Sequence, residues 1–320
     1  MSTTPSTTEN KTRVPYTVLG GDREREGNPD LPLTVLLLNR GTRVYRSEVL
    51  QEIERLRPAE IISLEGSRNT YDLEPLARKF PRVRFIRLHR QVSLGEYLNI
   101  GMDEARGTYV LVIWNEMRIS QVTPRALERV AEQPGVCTVP VLLNQRNETI
   151  PTMMAPGFHR KRLKVLPFIS RSDGMLSLFP YDHCGLYRRS QFNLLGGFDP
   201  EIENPYWQLL DFGFRAYLWG ERISSSNQFR IVMTSDPPTQ DTTPDAGYRR
   251  FFLKNLAIRF DKDRGVLPRS RFLPFYLRSG ATFVEALREF REAAAWVGLH
   301  QYRFVQDART IADLWEVPET

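Results

Sequence analysis

The sequence predicts an α/β protein in which a mixed, mainly parallel sheet is flanked by helices. Two observations support this prediction. From Leu33 onward, short continuous apolar runs alternate with stretches of helical periodicity, a pattern typical of parallel strands joined by crossover helices. The chain also has 320 residues, of which 41% are hydrophobic and 26% charged, so it can bury the core of one large or two modest domains.

Four strands and three helices are predicted in the first half of the chain. The strands are the apolar runs at residues 33–38, 60–64, 83–88 and 109–113. The helices are placed near residues 47–57, 73–79 and 94–105, where apolar residues recur at helical spacing. Ligands of such sheets bind beyond the carboxyl ends of the strands. The loops at 39–42, 65–69 and 114–118 are therefore expected to line one crevice.

The pattern becomes mixed beyond Pro134. A strand is predicted at 136–143, an irregular Pro- and Arg-rich stretch up to Ser177, a strand at 184–188 and a helix around 211–219. After Pro237, helices are predicted at 248–260, 282–296 and 301–315, and they are interpreted as a C-terminal helical appendage. The expected organisation is a flexible N-terminal tail (1–30), a main domain (31–240) and a C-terminal helical extension (241–320).

Charge and composition narrow the function classes. Lys and Arg outnumber Asp and Glu by 44 to 38, and most of the basic residues are arginines, which favours an anionic substrate. Because acids are interleaved with the bases and no nucleic-acid motif is present, no nucleic-acid partner is expected. The Arg-rich stretch at 160–171 is interpreted either as a clamp for a diphosphate or anionic acceptor, or as a plain surface loop.

Cysteine usage and hydropathy predict the compartment. Two cysteines and four scattered histidines form neither a disulfide framework nor a zinc cluster. No apolar run approaches the roughly 18 residues that cross a bilayer, and residues 2–11 lack the apolar core of a secretory signal. A cytoplasmic location without a transmembrane segment is expected. The C-terminal helices either pack plainly on the main domain or contact a membrane peripherally.

Several fragments between residues 33 and 223 occur in an order and spacing that point to one family. They are the strand TVLLLNR at 34–40, the residues Gly95, Asn99, Gly101 and Gly107 before the fourth strand, Arg188, the run Gly196-Gly197-Phe198-Asp199, and then Asp211, Arg215 and Gly220. Together they resemble the family 2 glycosyltransferases, which have the GT-A fold. The resemblance implies that a sugar is transferred from a nucleotide-sugar donor to a glycan or lipid-linked acceptor with inversion at the anomeric carbon.

The resemblance also implies a set of donor-binding residues and a metal site. The implied donor-binding residues are Asn39, Glu65, Ser67, Asn99, Asn115 and Arg188. The family's acidic metal motif falls on Trp114-Asn115-Glu116, where only Glu116 keeps a carboxylate. One carboxylate together with diphosphate oxygens can hold Mg²⁺ or Mn²⁺, because these ions take much of their coordination from water and substrate. The metal is therefore expected to be weakly held or absent.

The family's general-base motif is also degenerate. Its register falls on Gln208-Leu209, and neither side chain can accept a proton. Glu203 and Asp211 are the candidate bases, with Asp182 as a further possibility. The alternatives are that Asp211 is an acidic residue at a helix N-terminus and that Glu203 is merely solvated.

Two residues are assigned to the acceptor side. His183 is either an acceptor contact or a hydrogen-bonded structural histidine, and Trp207 either stacks on a sugar or closes the core. Two functions stay open at this point. The chain is an active glycosyltransferase, or it is an inactive GT-A pseudoenzyme that binds a nucleotide, a glycan or a partner protein.

Overall fold

The computed structural model describes residues 14–21, 31–40, 46–67, 73–160 and 162–316. In these residues the strands are β1 (Tyr16–Leu19), β2 (Leu33–Leu38), β3 (Glu60–Glu65), β4 (Val83–Leu88), β5 (Tyr109–Trp114), β6 (Met117–Arg118), β7 (Cys137–Leu143), β8 (Met153–His159), β9 (Arg162–Phe168), β10 (Gly185–Arg188), β11 (Ile223–Met233), β12 (Arg259–Asp261) and β13 (Arg264–Val266). The helices are α1 (Arg46–Arg55), α2 (Leu73–Lys79), α3 (Leu94–Glu104), α4 (Pro124–Glu132), α5 (Arg189–Leu194), α6 (Pro205–Leu218), α7 (Ala246–Phe251), α8 (Phe272–Ser279), α9 (Phe283–His300) and α10 (Ala308–Asp313).

A mixed sheet of nine strands forms the centre of the described part of the chain. Its strand order is β1-β4-β3-β2-β5-β10-β7-β11-β6. The pairs β4–β3, β3–β2, β2–β5 and β7–β11 are parallel, and the strands β1, β10 and β6 run against their neighbours. The predicted α/β class with a mainly parallel sheet is confirmed.

The first half folds as its apolar pattern predicts. Strand β2 is buried along its whole length, as expected for a central strand covered on both faces. Helix α3 begins after Ser93, whose hydroxyl accepts the backbone N–H of Glu96. The helix lies very close to the sheet, because a Cβ on Gly101 would lie 2.7 Å from the side chain of Leu36. This close contact packs α3 directly against β2.

An additional edge strand occurs in the stretch that was expected to be a flexible tail. Residues Tyr16–Leu19 pair antiparallel with β4, and the Tyr16 hydroxyl donates a hydrogen bond to Glu104. The four-residue run is too short to predict a strand, and its partner is far away in the sequence. Residues 1–13 and 22–30 of that stretch lie outside the described residues.

The second half differs more from the predicted elements. Strands β8 and β9 form an antiparallel hairpin within the stretch predicted as irregular, so much of the Arg-rich segment 160–171 is a strand. Helix α6 begins at Pro205 rather than near 211, because Asn204 caps it and proline is favoured in a first helical turn.

The predicted helix at 248–260 is also shorter than expected. It consists of α7 and a π-helical turn at Phe252–Leu256, after which the chain enters the β12–β13 hairpin. The helix predicted at 282–296 corresponds to α9. The helix predicted at 301–315 is interrupted, and the structure has a 3₁₀ turn at Gln301–Arg303 and the short helix α10 in its place. No helix in the described residues is long and apolar enough to cross a membrane.

Candidate functional site

The carboxyl ends of the parallel strands meet at one edge of the sheet, as the sequence predicts. Asn39 and Arg40 directly follow β2, Glu65 ends β3, and Asn115 and Glu116 directly follow β5. The turn Tyr181–His183 precedes β10, which runs antiparallel to β5 and therefore begins at this same edge. We call this edge the carboxyl edge.

A buried polar group ties the ends of β2 and β3 together. The Asn39 side-chain amide donates to Ser63 Oγ at 3.1 Å, to the Leu64 carbonyl at 2.8 Å and to Glu65 Oε1 at 3.2 Å. The Ser63 hydroxyl also donates to Glu65 Oε1, at 2.8 Å. Asn39 Oδ1 is buried and has no hydrogen-bond partner among the described residues. Ser67 lies in the turn two residues beyond Glu65. Two of the predicted donor-binding residues are therefore in direct contact.

A second cluster lies at the ends of β2 and β5, centred on Arg40. Its guanidinium donates to both carboxylate oxygens of Asp182, from Nη1 at 3.0 Å and from Nη2 at 2.6 Å. Its Nε donates to Glu116, which also forms an ion pair with Nη2. The guanidinium lies over the ring of Trp114, with Cζ 4.1 Å from a ring centroid. Arg40 thus holds two carboxylates that come from distant parts of the chain.

The neighbours of Arg40 are fixed as well. Trp114 Nε1 donates to the Asp182 carbonyl at 2.8 Å, which joins the end of β5 to the turn before β10. The Asn115 side chain accepts from the Arg40 backbone N–H at 3.1 Å and donates to the Arg40 carbonyl at 3.0 Å. The Glu116 carbonyl accepts from Thr234, just beyond β11. The cluster is therefore pre-organised by main-chain contacts and not only by its ion pairs.

Burial and neighbouring charges both shift the pKa values of the ionisable groups in this cluster. Burial disfavours the charged form of Arg40, but its hydrogen bonds and proximity to Asp182 and Glu116 outweigh that effect and raise its pKa. Burial raises the pKa of Asp182 to about 6, although Arg40 acts to lower it. Burial lowers the pKa of His183 to about 3, so this imidazole is neutral at physiological pH.

We expect ionisation of Asp182 to make the protein less stable as the pH rises through about 6. The folded chain holds this proton more tightly than the unfolded chain, so the stabilisation is complete below the ordinary aspartate pKa of 3.8 and is lost above about 6. A pKa difference of this size corresponds to about 3 kcal/mol. Urea unfolding from about pH 4 to about pH 8 should show this loss in the wild type but not in Asp182→Asn. A pH-independent difference between the two proteins would contradict the assignment.

His183 lies in a conformation that costs backbone energy. Asp182 and His183 have positive φ angles of 52° and 61°, a region that non-glycine residues seldom adopt. The His183 ring packs edge-on against Phe198, and neither ring nitrogen has a hydrogen-bond partner among the described residues. The strained turn is what brings the Asp182 carboxylate to Arg40. The expected structural hydrogen bond of His183 is not present in the described residues, and its acceptor role stays a prediction.

Arg188 lies at the opposite edge of the sheet from the predicted crevice. It ends β10, and because β10 is antiparallel to β5, Arg188 pairs with the first residue of that strand, Tyr109. Its guanidinium lies 5.3 Å from the Tyr109 ring and donates to the carbonyls of Ala131 and Gln133, both at 3.1 Å. Arg188 therefore joins α4 to the sheet and is not brought together with the other predicted donor-binding residues.

Asn99 and Trp207 also make packing contacts. The Asn99 side chain donates to the Phe198 carbonyl at 2.8 Å and accepts its N–H at 2.9 Å, so it attaches α3 to the Gly-Gly-Phe-Asp segment. Trp207 is buried, stacks on Phe251 and donates from Nε1 to the Thr243 carbonyl at 2.9 Å. Trp207 thus closes the core against the C-terminal extension, which is the second of the two interpretations drawn from the sequence.

The two candidate general bases occupy very different environments. Asp211 is fully buried in the middle of α6, where Arg215 Nη2 and Asn255 Nδ2 each donate to it at 2.8 Å. The Lys254 ammonium lies 3.6 Å from it. Asp211 is therefore not at a helix N-terminus, contrary to the expectation, and its position is enclosed. Glu203 is exposed in the loop before α6.

In the sequence analysis, Arg40 has no assigned role and Asp182 is named only as a further possible general base. Arg40 is separated from Asp182 by 142 positions, so no local pattern joins them. The one available signal was that Arg40 directly follows a buried strand at the predicted ligand edge. The expected metal ligand Glu116 is at this edge too, but the described residues contain no group of three or more His, Cys, Asp or Glu side chains that could hold a metal ion.

No protein-family model and no curated protein matches the chain. Solved structures do match it. The crystal structure of GalNAc-T7 with UDP, GalNAc and Mn²⁺ superposes with a TM-score of 0.57 over 86% of this chain, at 14% sequence identity. This chain has the GT-A glycosyltransferase fold. The match covers 58% of the GalNAc-T7 chain.

Two further GT-A structures are similar at a lower score. Staphylococcus aureus TarS has a TM-score of 0.49 and 13% identity over 82% of this chain and 43% of its own. The mannosyltransferase PcManGT from Pyrobaculum calidifontis, in complex with GDP-Man and Mn²⁺, has a TM-score of 0.45 and 14% identity over 86% of this chain and 74% of its own.

Proposed function

We propose that the chain is a nucleotide-sugar glycosyltransferase whose donor binds at the carboxyl edge. The observation that carries the proposal is the gathering of polar side chains from β2, β3, β5 and the turn before β10 at this one edge of a GT-A fold. Three carboxylates lie there, namely Glu65, Glu116 and Asp182. Open α/β sheets bind their ligands beyond the carboxyl ends of their strands, which supports the placement.

The two polar groups suit different parts of a nucleotide. Asn39, Glu65 and Ser67 offer an amide, a carboxylate and a hydroxyl, which are hydrogen-bonding groups appropriate for a base and a ribose. Arg40 offers the planar cation that suits a diphosphate, and Asn115 fixes the Arg40 backbone.

We propose a family 2, inverting reaction for this site. The acceptor oxygen forms a bond to the anomeric carbon as the bond from that carbon to the diphosphate oxygen breaks, and the acceptor proton passes to a carboxylate base. Glu203 is the candidate base because it is exposed, whereas Asp211 is enclosed by Arg215 and Asn255. The nucleoside diphosphate then leaves, its charge opposite the Arg40 guanidinium.

Nucleotide binding followed by turnover tests this function. Calorimetric titration with UDP and GDP is expected to show saturable binding to one of them, weakened about tenfold or more in Glu65→Gln. Arg188→Ala is the control, because it removes an arginine from the opposite edge and should leave nucleotide affinity unchanged. Release of nucleoside diphosphate from the matching sugar donors should be lost in Glu203→Gln while nucleotide affinity is kept. Binding without any release would favour a pseudoenzyme that binds a nucleotide. Binding of neither nucleotide would contradict the proposed function and would favour a pseudoenzyme that binds a glycan or a partner protein.

We further propose that the C-terminal extension contacts an anionic membrane surface that carries a lipid-linked acceptor. Leu273 and Leu277 are 61% and 71% exposed on one side of α8, and the exposed Arg278 follows them directly. Exposed leucines beside an arginine suit a lipid surface with negative headgroups. A cytoplasmic compartment is proposed separately, because Cys137 and Cys184 are free thiols and form no disulfide.

The membrane contact predicts co-sedimentation with vesicles. Wild-type protein is expected to sediment with phosphatidylglycerol vesicles and not with phosphatidylcholine vesicles, and Leu273→Ser/Leu277→Ser should reduce the bound fraction several-fold. Leu299→Ser is the matched control, because Leu299 is 84% exposed but lies at the far end of α9. Equal sedimentation of all three proteins would contradict the contact.

A further inference from the structure

The position of Arg40 suggests how the site balances its negative charge. The guanidinium lies between Glu116, just after β5, and Asp182, just before β10, and it donates hydrogen bonds to both. Among the described residues, neither of these two carboxylates forms an ion pair with another cation. The space between two facing carboxylates is where a divalent cation would bind, and here a side chain of the protein fills it.

Arg40 is held there by more than its charge. Trp114 supports the face of the guanidinium at 4.1 Å and is itself fixed by its bond to the Asp182 carbonyl. Asn115 holds the Arg40 backbone from both sides, through its N–H and its carbonyl. Moving the guanidinium aside would break the contacts of a partly buried side chain and leave two carboxylates uncompensated.

The residues present do not fit the divalent metal that the fold family implies. Mg²⁺ and Mn²⁺ need several oxygen ligands, and the two carboxylates able to supply them are engaged by Arg40. The Asn115 amide oxygen is engaged as well, by the Arg40 N–H. A divalent ion beside the guanidinium would also meet a repulsive positive charge.

We propose that Arg40 is the resident cation of this site and takes the place of a divalent metal. The proposal rests on the proposed function for its consequence, which is that the chain binds its nucleotide diphosphate without metal. A guanidinium has five N–H donors. In its contacts with Asp182 and Glu116, Arg40 uses the Nε hydrogen, both Nη2 hydrogens and one of the two Nη1 hydrogens. The second Nη1 hydrogen is left for a phosphate oxygen.

Titration with Mn²⁺ in the absence of nucleotide tests whether Arg40 takes the place of a divalent metal. The wild type is expected to bind no Mn²⁺ at this site, by calorimetry or by the electron paramagnetic resonance signal of free Mn²⁺. Arg40→Ala should gain saturable Mn²⁺ binding that the wild type lacks, because both carboxylates become open to the ion. Arg40→Ala/Glu116→Gln should lose that gain. Arg78→Ala is the matched control, since it removes an equal charge from the exposed side of α2.

If Arg40→Ala does not fold, Mn²⁺ titrations of the wild type and of Glu116→Gln still test the proposal. Saturable Mn²⁺ binding by the wild type that disappears in Glu116→Gln would overturn the proposal, because Glu116 would then be a metal ligand. With UDP or GDP, whichever binds, affinity in EDTA should lie within about threefold of that with Mn²⁺. Binding that requires Mn²⁺ would overturn the proposal. If neither nucleotide binds, the proposed function fails and the Mn²⁺ titrations still decide the role of Arg40.

Discussion

Asp211→Ala is expected to lower the free energy of unfolding by about 3–5 kcal/mol. Asp211 is fully buried and accepts hydrogen bonds from Arg215 and Asn255, with the Lys254 ammonium 3.6 Å away. Removing the carboxylate leaves the buried guanidinium of Arg215 without its counter-charge. It also breaks a connection between α6 and the π-helical turn of the C-terminal extension. Urea unfolding at pH 7 measures the loss.

The control for this prediction is the other candidate base. Glu203→Ala changes an exposed carboxylate and should alter the free energy of unfolding by less than about 0.5 kcal/mol. If Asp211→Ala kept wild-type stability and lost only turnover, Asp211 would be a catalytic residue and the structural account of it would be wrong.

Gly213→Ala is expected to destabilise the protein by about 1–3 kcal/mol or more, although the residue lies inside a helix. A methyl group at this position of α6 would lie 2.1 Å from the Leu178 carbonyl oxygen and 3.1 Å from Phe179 Cβ. The helix or the segment before β10 must therefore move. Thermal melting and urea unfolding measure the effect.

Gly298→Ala is the matched control for the Gly213 substitution. It also lies in a helix, α9, but nothing lies within 4 Å of the added Cβ. Alanine is favoured over glycine in helices by up to about 1 kcal/mol, so this substitution should stabilise the protein. Destabilisation of the same size at both positions would show that the contact with Leu178 does not determine the result.

The parts of the fold that sequence reasoning predicted are those with local signals. Strands β2 to β5 are continuous apolar runs separated by helical periodicity, and their carboxyl ends share one edge by the general geometry of such sheets. Glu65 and Asn39 were placed at this edge for that reason, and the structure shows them in contact.

The direction of a strand has no local signal. The family resemblance implies a donor-binding role for Arg188, but the antiparallel pairing of β10 with β5 places Arg188 at the opposite edge of the sheet. The same antiparallel pairing brings Asp182, at the other end of β10, to Arg40. Strand pairing is decided by contacts distant in sequence, so neither position was predictable from a local pattern.

Buried polar contacts were equally inaccessible to sequence reasoning. Asn99 and Asp211 stand in positions that match the family pattern, yet both make structural hydrogen bonds. Asn99 bonds to the backbone of Phe198. Asp211 accepts hydrogen bonds from Arg215 and Asn255. A polar residue in a motif fits a catalytic or binding role as well as a structural role until its hydrogen-bond partners are known. Trp207 illustrates the same point, since Thr243 and Phe251 lie in the extension.

The position of a bound nucleotide tests the central claim most directly. In a crystal structure of the chain with UDP or GDP, we expect the diphosphate within hydrogen-bond distance of Arg40 and the nucleoside beside Asn39 and Glu65. A contrasting location exists, a cleft of about 910 Å³ lined by residues that include Arg222, just before β11, and Trp315. A nucleotide in that cleft, at the edge opposite the carboxyl edge, would contradict the account. So would a metal ion between Glu116 and Asp182 with Arg40 displaced.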